Sequence, residues 1–169
     1  KNHGGFVTVE SSVGNGSSFT LYLPASDKPV NEDRSIHQEI RPGAGTILLV
    51  DDEKMIIDTG AEMLSTMGYQ VITASDGNKA LETYRANRDT IDLVILDMIM
   101  PGMGGGQTYD EIRKINAGVK VLLSSGYSMG GQAEEILKKG CQGFIQKPFD
   151  MKDLSQKIER ILKDKATLE

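Results

Sequence analysis

From Thr46 onward, short apolar runs alternate with stretches of helical periodicity, and this alternation limits the possible folds more than any other feature. The runs expected to form strands are residues 46–50, 70–74, 92–96, 119–123 and 143–146. Nearly all of their residues are apolar, which is typical of strands covered on both faces. Strands that alternate with helices predict a parallel sheet. We therefore expect an α/β domain with five parallel strands in the order 2-1-3-4-5 and helices on both faces.

The stretches between these runs carry helix signals. In the first stretch, apolar residues recur at helical spacing between Ile56 and Met67, and Gly68 follows as a terminating glycine. The second stretch begins near Asp76, and Asp150 precedes the last stretch at the position where a capping side chain is expected. These signals support the assignment of helices to the gaps between strands.

The chain before Thr46 has a different pattern. Residues 1–24 show two alternating apolar–polar arms around a Gly-Asn-Gly turn at residues 14–16, which predicts a β-hairpin. A single hairpin is marginally stable in water, so another surface is expected to cover it. Residues 25–45 are polar and lack periodicity, and we interpret them as a linker to a main domain at residues 46–166.

Composition excludes several classes of function. The formal net charge is −5 and no dense Lys/Arg block occurs, so nucleic acid is not an expected partner. The single cysteine, Cys141, cannot form an internal disulfide, which favours a reducing, cytoplasmic location. No apolar run is long enough to span a bilayer, and no membrane contact by this chain is expected.

Acidic residues follow two of the predicted strands. Asp51 and Asp52 come after the first strand and Asp97 after the third, and these strands are neighbours in the expected order. Alone, either member of the pair would be interpreted as a helix cap, and Asp97 as a buried aspartate bound to loop amides. Three converging carboxylates would repel one another without a cation, and oxygen ligands favour Mg²⁺. The turn after Asp97 could add the backbone carbonyl of Ile99.

A lysine and two serines end the remaining strands. Lys147 precedes Pro148 at the end of the fifth strand, where an ammonium group needs an anionic partner such as Asp97 or a phosphoryl group on it. Ser124 and Ser125 end the fourth strand, and alternation lets only one of them face the site. A carboxylate nucleophile, Mg²⁺ and a lysine together suit phosphoryl transfer onto an aspartate.

These motifs give residues 46–165 a close resemblance to the response-regulator receiver domain. The matching segments are Asp51-Asp52-Glu53, Leu96-Asp97-Met98-Ile99-Met100-Pro101-Gly102-Met103, Ser125-Gly126 and Lys147-Pro148-Phe149. The resemblance implies a flavodoxin-like fold and a role in two-component signal transduction. It implies that the domain accepts a phosphoryl group from the phosphohistidine of a kinase or phosphotransfer domain, with Mg²⁺ as cofactor.

The resemblance also implies a role for each site residue. Asp97 is the expected phosphoacceptor, and Asp52, Asp97 and the Ile99 carbonyl are the expected metal ligands, with Asp51 acting largely through a bound water. Lys147 is expected to pair with the phosphoryl group and Ser125 to serve as the switch hydroxyl. Phe144 occupies the family's rotating aromatic position but lacks a hydroxyl, so switching there would depend on packing alone.

The first 24 residues resemble the closing strands of a histidine-kinase ATP-binding domain. The motifs that bind nucleotide in that family are absent here, so no ATP binding is expected. The two resemblances together imply the C-terminal receiver of a hybrid sensor kinase. Whether such a chain counts as an enzyme is left open, since it would phosphorylate and dephosphorylate itself without a kinase core. Pairing of the hairpin edge with a second copy is possible.

Two alternatives remain at this point. A Mg²⁺-dependent phosphatase with an aspartate nucleophile would need a second aspartate two positions after Asp97, where Ile99 stands. An interaction module that is never phosphorylated would have no need for the five filled key positions.

One departure from the family pattern is the run Gly104-Gly105-Gly106, which predicts a loose start to the third helix. The loop at residues 126–131 is also expected to be mobile.

Overall fold

The computed structural model describes residues 4–25, 43–126 and 131–163. The chain divides into two compact units, Lys1–Gln38 and Glu39–Glu169. Most of the predicted linker, residues 26–42, and most of the predicted mobile loop, residues 127–130, lie outside the described residues. The domain limits at residues 24, 45 and 166 therefore stay predictions.

The first unit contains the predicted hairpin. Strand β1 is Phe6–Ser12 and strand β2 is Gly16–Tyr22, and they pair antiparallel. Val7 lies opposite Leu21 and Val9 opposite Phe19, so these four apolar side chains share one face. All residues of both strands are exposed within this chain. The hairpin prediction is confirmed, and the two strands alone supply no second layer for their apolar face.

The second unit is the predicted five-stranded α/β domain. Its elements, in chain order, are β3 (Thr46–Val50), α1 (Lys54–Thr66), β4 (Gln70–Ala74), α2 (Gly77–Asn87), β5 (Ile91–Asp97), α3 (Gly105–Ile115), β6 (Val121–Ser125), α4 (Gly131–Lys138), β7 (Gly143–Gln146) and α5 (Met151–Lys163). The sheet order is β4-β3-β5-β6-β7 and all pairings are parallel. In units of this domain, that order is 2-1-3-4-5, as predicted.

Side chains alternate along each strand, so the strands place apolar residues on both faces of the sheet, and helices cover both faces. Leu48 and Val50 belong to a core that also includes residues of α2, α3 and α4. Ile47 and Leu49 belong to a second core, on the side of α1 and α5. Every residue of β3 is buried, and four of its five residues are apolar, as expected of a strand that is covered on both faces.

Aspartate side chains cap two helix starts, and the cap at Asp150 is the predicted one. The side chain of Asp76 accepts a hydrogen bond from the amide of Lys79 at 2.8 Å, and Asp150 accepts one from the amide of Asp153 at 2.7 Å. Each bond satisfies an amide that has no partner within its helix. Among the residues described here, no helix is both long enough and apolar enough to cross a bilayer.

The limits of two strands differ from the prediction. Strand β6 is Val121–Ser125 rather than 119–123, because Val119 belongs to a turn in which its amide donates to the carbonyl of Asn116. Strand β5 is longer than expected and ends on Asp97 itself. The correction places Asp97 and Ser125 inside the ends of paired strands, where the sheet holds their backbone.

Candidate functional site

The acidic residues meet at the carboxyl edge of the sheet. Asp51 directly follows β3, Asp52 comes next, and Asp97 is the last residue of β5. Each offers a carboxylate oxygen, and these oxygens lie within 4.8 Å of one another. Asp51 and Asp97 are buried and Asp52 is exposed, so the cluster opens to solvent on the side of Asp52. The structure thus brings together the three carboxylates that the strand order predicts.

Lys147 joins two of these carboxylates. Its Nζ donates to Oδ2 of Asp51 at 2.5 Å and to Oδ1 of Asp97 at 2.8 Å. Only 12% of the Lys147 side chain is exposed, compared with 1% for Asp51 and 6% for Asp97. Such buried charges are tolerable only when they are paired and hydrogen-bonded. In this structure, Lys147 serves as the counterion of the acidic pair.

The environment of Asp97 shifts its carboxyl group towards the protonated form. Burial raises the pKa of the Asp97 carboxyl above its ordinary value, and the nearby charge of Asp51 acts in the same direction. The hydrogen bond from Lys147 and the positive charge of that residue lower the pKa but do not cancel the effect of burial. The raised pKa means that Lys147 does not fully stabilise the ionised form of Asp97, and a further cation nearby would stabilise it.

Lys147 itself is held in the charged form. Burial alone would lower the pKa of its ammonium group. The hydrogen bonds to Asp51 and Asp97 and the negative charges of both residues outweigh burial, so the pKa of Lys147 is raised. A lysine in this state remains a permanent positive charge at neutral pH.

Backbone amides fix the orientation of the two buried carboxylates. The amide of Glu53 donates to Oδ1 of Asp51 at 3.1 Å, and the amide of Ile99 donates to Oδ2 of Asp97 at 3.2 Å. The bond from Ile99 is the loop-amide contact considered for Asp97 from the sequence, and it occurs together with the acidic cluster rather than in place of it. The Ile99 carbonyl as a metal ligand stays a prediction.

The remaining predicted residues lie at or near the same edge. Lys147 follows β7, its peptide bond to Pro148 is cis, and its amide donates to the carbonyl of Ser125 at 2.7 Å. Ser124 and Ser125 are both buried at the end of β6, and the assignment of Ser125 as the switch hydroxyl stays a prediction. Phe144 is half-buried on β7 and packs against the core on the side of α2, α3 and α4. A switching role for Ser125 and for Phe144 stays a prediction.

The acidic cluster fits a magnesium ion by its chemistry. All three donors are carboxylate oxygens, which this hard ion prefers. Two ligands on opposite sides of Mg²⁺ are about 4.2 Å apart, so oxygens within 4.8 Å need only a small contraction to share one ion. Three carboxylates and one ammonium also leave excess negative charge, which a divalent cation would offset. Asp51, Asp52 and Asp97 are the residues that could hold it.

Sequence reasoning missed the contact between Lys147 and Asp51. The strand pattern places both residues at the carboxyl edge, but β6 and β5 lie between β7 and β3 in the sheet. Only the length of the lysine side chain lets it reach across, and no pattern in the sequence gives that distance. The available signal was the cost of burying Asp51 without a partner.

Together, the doubly wound sheet and a cluster of carboxylates and lysine at its switch point define the class of receiver-like α/β domains. The family model for the response regulator receiver domain matches residues 47–159. The chain therefore belongs to the response-regulator receiver family, and it carries a receiver domain of two-component signal transduction.

Among curated relatives, the chain is similar to the sensor kinase CckA of Brucella abortus, with 33% identity over 171 residues. That alignment covers 96% of this chain but only 18% of the relative, so the chain spans under a fifth of the sensor kinase's length. Because the family match begins at residue 47, coverage of 96% must include most of the residues before it. The similarity thus extends into the hairpin unit.

Solved structures of receiver domains are also similar. A response regulator receiver domain from Clostridium thermocellum has 32% identity and a TM-score of 0.67, covering 70% of this chain and 94% of that one. The CheX-CheY-BeF3-Mg+2 complex from Borrelia burgdorferi has 28% identity and a TM-score of 0.67, covering 69% and 88%. Both similarities support the fold described above.

Proposed function

We propose that Asp97 accepts a phosphoryl group from a phosphohistidine on a kinase or phosphotransfer domain. The observation that carries this proposal is the convergence of Asp51, Asp52 and Asp97 within 4.8 Å, with Lys147 bonded to the buried pair. The complex of a relative with Mg²⁺ and a beryllium fluoride is consistent with such a site. The proposal assigns the metal to Asp51, Asp52, Asp97 and the Ile99 carbonyl.

The proposed reaction is a displacement at phosphorus. An oxygen of the Asp97 carboxylate forms a bond to phosphorus as the bond from phosphorus to the imidazole nitrogen breaks, and the imidazole leaves with that electron pair. Magnesium, when bound, supplies positive charge for the phosphoryl oxygens. Lys147 is already at hydrogen-bond distance from Oδ1 of Asp97 and offers a second positive contact. The product is an acyl phosphate on Asp97.

Phosphorylation adds between one and two negative charges at a buried edge of the sheet. Ser125 ends the strand next to that of Asp97, and its hydroxyl is the proposed hydrogen-bond donor to the new group. Phe144 lies one strand further and packs against the core that includes Ala133 and Ile136 of α4. A shift of Ser125 would therefore be passed to the surface formed by α4, β7 and α5.

This chain is proposed to be part of a hybrid sensor kinase, with the chain itself located in the cytoplasm. The similarity to a sensor kinase over both units supports the kinase assignment. The single cysteine supports a reducing, cytoplasmic location. In that setting, the apolar face of the hairpin, Val7, Val9, Phe19 and Leu21, would be covered by the remainder of an ATP-binding domain. Pairing of two hairpins is the alternative, to be tested by sedimentation of this chain.

Intact-mass measurement tests the acceptor. The chain is incubated with a small phosphodonor such as acetyl phosphate, with and without Mg²⁺. The expected result is one added phosphoryl group that requires Mg²⁺ and is absent from Asp97→Asn. Asp89→Asn is the matched control, because Asp89 is an exposed aspartate in the turn before β5, at the opposite edge of the sheet. This control should be phosphorylated like the wild type.

Other outcomes would favour the alternatives. A chain that binds neither Mg²⁺ nor a beryllofluoride phosphate mimic would support an interaction module without phosphorylation. Steady release of phosphate from an ester, with no covalent product, would support the phosphatase. A phosphoryl group that persists on Asp97→Asn would assign the reaction to another residue.

A further inference from the structure

Helix α3 begins in a run of three glycines, and only the middle one touches the backbone of Asp97. A Cβ atom on Gly105 would lie 2.2 Å from the carbonyl oxygen of Asp97 and 2.8 Å from Cα of Met98. Both distances are far below van der Waals contact, and both neighbours are backbone atoms. The first residue of α3 therefore rests directly on the backbone of the acceptor residue.

The flanking glycines have no such contact. A Cβ atom on Gly104 would lie 3.6 Å from the carbonyl oxygen of Met98, and one on Gly106 would lie 3.4 Å from Cδ1 of Ile136. These are ordinary packing distances, so alanine fits at both positions. The run thus contains one glycine that the structure requires and two that it does not.

Neither side of the Gly105 contact can move away freely. On one side, α3 is held in the core by its buried residues Thr108, Tyr109 and Ile112. On the other side, the amide of Met98 donates to the carbonyl of Ser124 at 2.9 Å and so ties the end of β5 to β6. The amide of Gly105 itself donates to the carbonyl of Met98 at 3.1 Å. A side chain at this position must therefore displace the acceptor loop or the first turn of α3.

We propose that Gly105 is a positioning residue for the Asp97 carboxylate. Because Gly105 has no side chain, α3 can pack directly against the backbone of Asp97 and fix its position at the edge of the sheet. That position sets the distance from the Asp97 carboxylate to those of Asp51 and Asp52. This inference rests on the proposed function, because it concerns the same acceptor and metal site. It assigns to the middle glycine a role that neither of its neighbours shares.

The test measures Mg²⁺ affinity by calorimetry on the full 169-residue chain. Gly105→Ala should bind Mg²⁺ on the order of tenfold more weakly, as is typical when support of a ligating carboxylate is lost. Gly104→Ala and Gly106→Ala, which change the same element by the same methyl group, should retain the wild-type affinity. All titrations are made well below each variant's unfolding midpoint, so that only folded protein is compared.

A second control separates positioning from loss of packing. Ile158 is fully buried on α5, in the core on the other face of the sheet from α3. Ile158→Val should therefore lower the unfolding midpoint without contact with α3 or Asp97, and folded protein should keep its Mg²⁺ affinity. A Gly105→Ala variant with wild-type affinity, or equal losses in Gly105→Ala and Gly106→Ala, would overturn the proposal.

Two further results are distinguishable. If the wild type binds no Mg²⁺, the proposed function itself fails, and this inference fails with it. If Gly105→Ala does not fold, hydrogen exchange of the wild type decides. Adding Mg²⁺ should then slow exchange of the Gly105 amide, which bonds to the loop after Asp97, and an unchanged rate would contradict the positioning role.

Discussion

At the scale of single residues, the site depends on a few charges that the fold holds out of water. Asp51 and Asp97 share the ammonium group of Lys147, and burial still raises the pKa of Asp97. An aspartate with a raised pKa destabilises the fold when it is ionised, because the unfolded chain gives up the same proton more easily. The residue best placed for reaction is thus one that costs stability at neutral pH.

Asp97→Asn should make the metal-free protein more stable near neutral pH. Since the folded-state pKa is raised, the stability contributed by protonated Asp97 is fully present below the ordinary aspartate pKa and is lost as the pH rises through the raised value. The gap between variant and wild type should therefore be small in acid and widen towards neutrality. Thermal unfolding in the presence of a chelator, at a series of pH values, measures it. A gap that does not change with pH would contradict the assignment.

Lys147→Met should destabilise the metal-free chain on the order of 3 kcal/mol, because it leaves two buried carboxylates without their counterion. The same variant should gain more from added Mg²⁺ than the wild type does, since the cation no longer competes with an ammonium group. Unfolding midpoints with chelator and with Mg²⁺ give both values.

Lys79→Met provides the control for that variant. Lys79 pairs with Asp76 at the start of α2, and more than half of its side chain is exposed. Loss of such a surface pair should change the free energy of unfolding by less than about 1 kcal/mol. If Lys147→Met and Lys79→Met behave alike, Lys147 is not the counterion of the acidic cluster.

At the scale of elements, α4 is held mainly by its apolar residues. It has eight residues and buries Ala133 and Ile136 in the core. An ion pair from Lys139 to Asp110 also links its end to α3, but both side chains are nearly half exposed. Apolar burial should therefore contribute much more to its attachment than the ion pair does.

Urea unfolding of two variants tests this order. Ile136→Ala should cost about 2–5 kcal/mol, as is usual for a buried isoleucine. Asp110→Asn should cost less than about 1 kcal/mol, because the ion pair that it breaks is on the surface. Comparable losses in the two variants would show that the polar link holds α4.

The same elements show how far sequence reasoning reaches. The order of strands, the cap at Asp150 and the convergence of Asp51, Asp52 and Asp97 follow from local patterns and from the rule that parallel strands end at one edge. The predicted limits of β6 were wrong by two residues at each end. Val119 lies in a turn, and from the sequence alone an apolar residue in a turn cannot be told from one in a strand.

Contacts between distant elements could not be predicted. The bond from Lys147 to Asp51 depends on the reach of a side chain across two strands. The need for glycine at residue 105 depends on how closely α3 approaches β5, and the triple glycine predicts flexibility when only composition is considered. The loose start of α3 stays a prediction about motion, although the structure shows a close contact there.

At the scale of the whole molecule, the two units differ in how much surface they bury. The receiver domain has two cores, whereas every strand residue of the hairpin is exposed. A two-stranded sheet without a core is marginally stable in water. The hairpin is therefore expected to open far more often than the sheet of the receiver domain.

Hydrogen exchange should separate the units. Amides of β1 and β2 should exchange rapidly, while amides of β3, β5 and β6 should exchange only through unfolding of the whole domain. Mass spectrometry of peptides from each segment gives the rates. Equal protection of the hairpin and the central strands would contradict this expectation. It would show that the hairpin is covered, either by other residues of this chain or by a second copy of it.

The central claim is that the Asp97 carboxylate receives the phosphoryl group. The most direct measurement is to phosphorylate the chain with acetyl phosphate and Mg²⁺, reduce the acyl phosphate with borohydride, and sequence the resulting peptides by mass spectrometry. Reduction converts a phosphorylated aspartate to homoserine, and homoserine is predicted at position 97 alone. An aspartate that remains unmodified at position 97 while another residue carries the label would contradict the account.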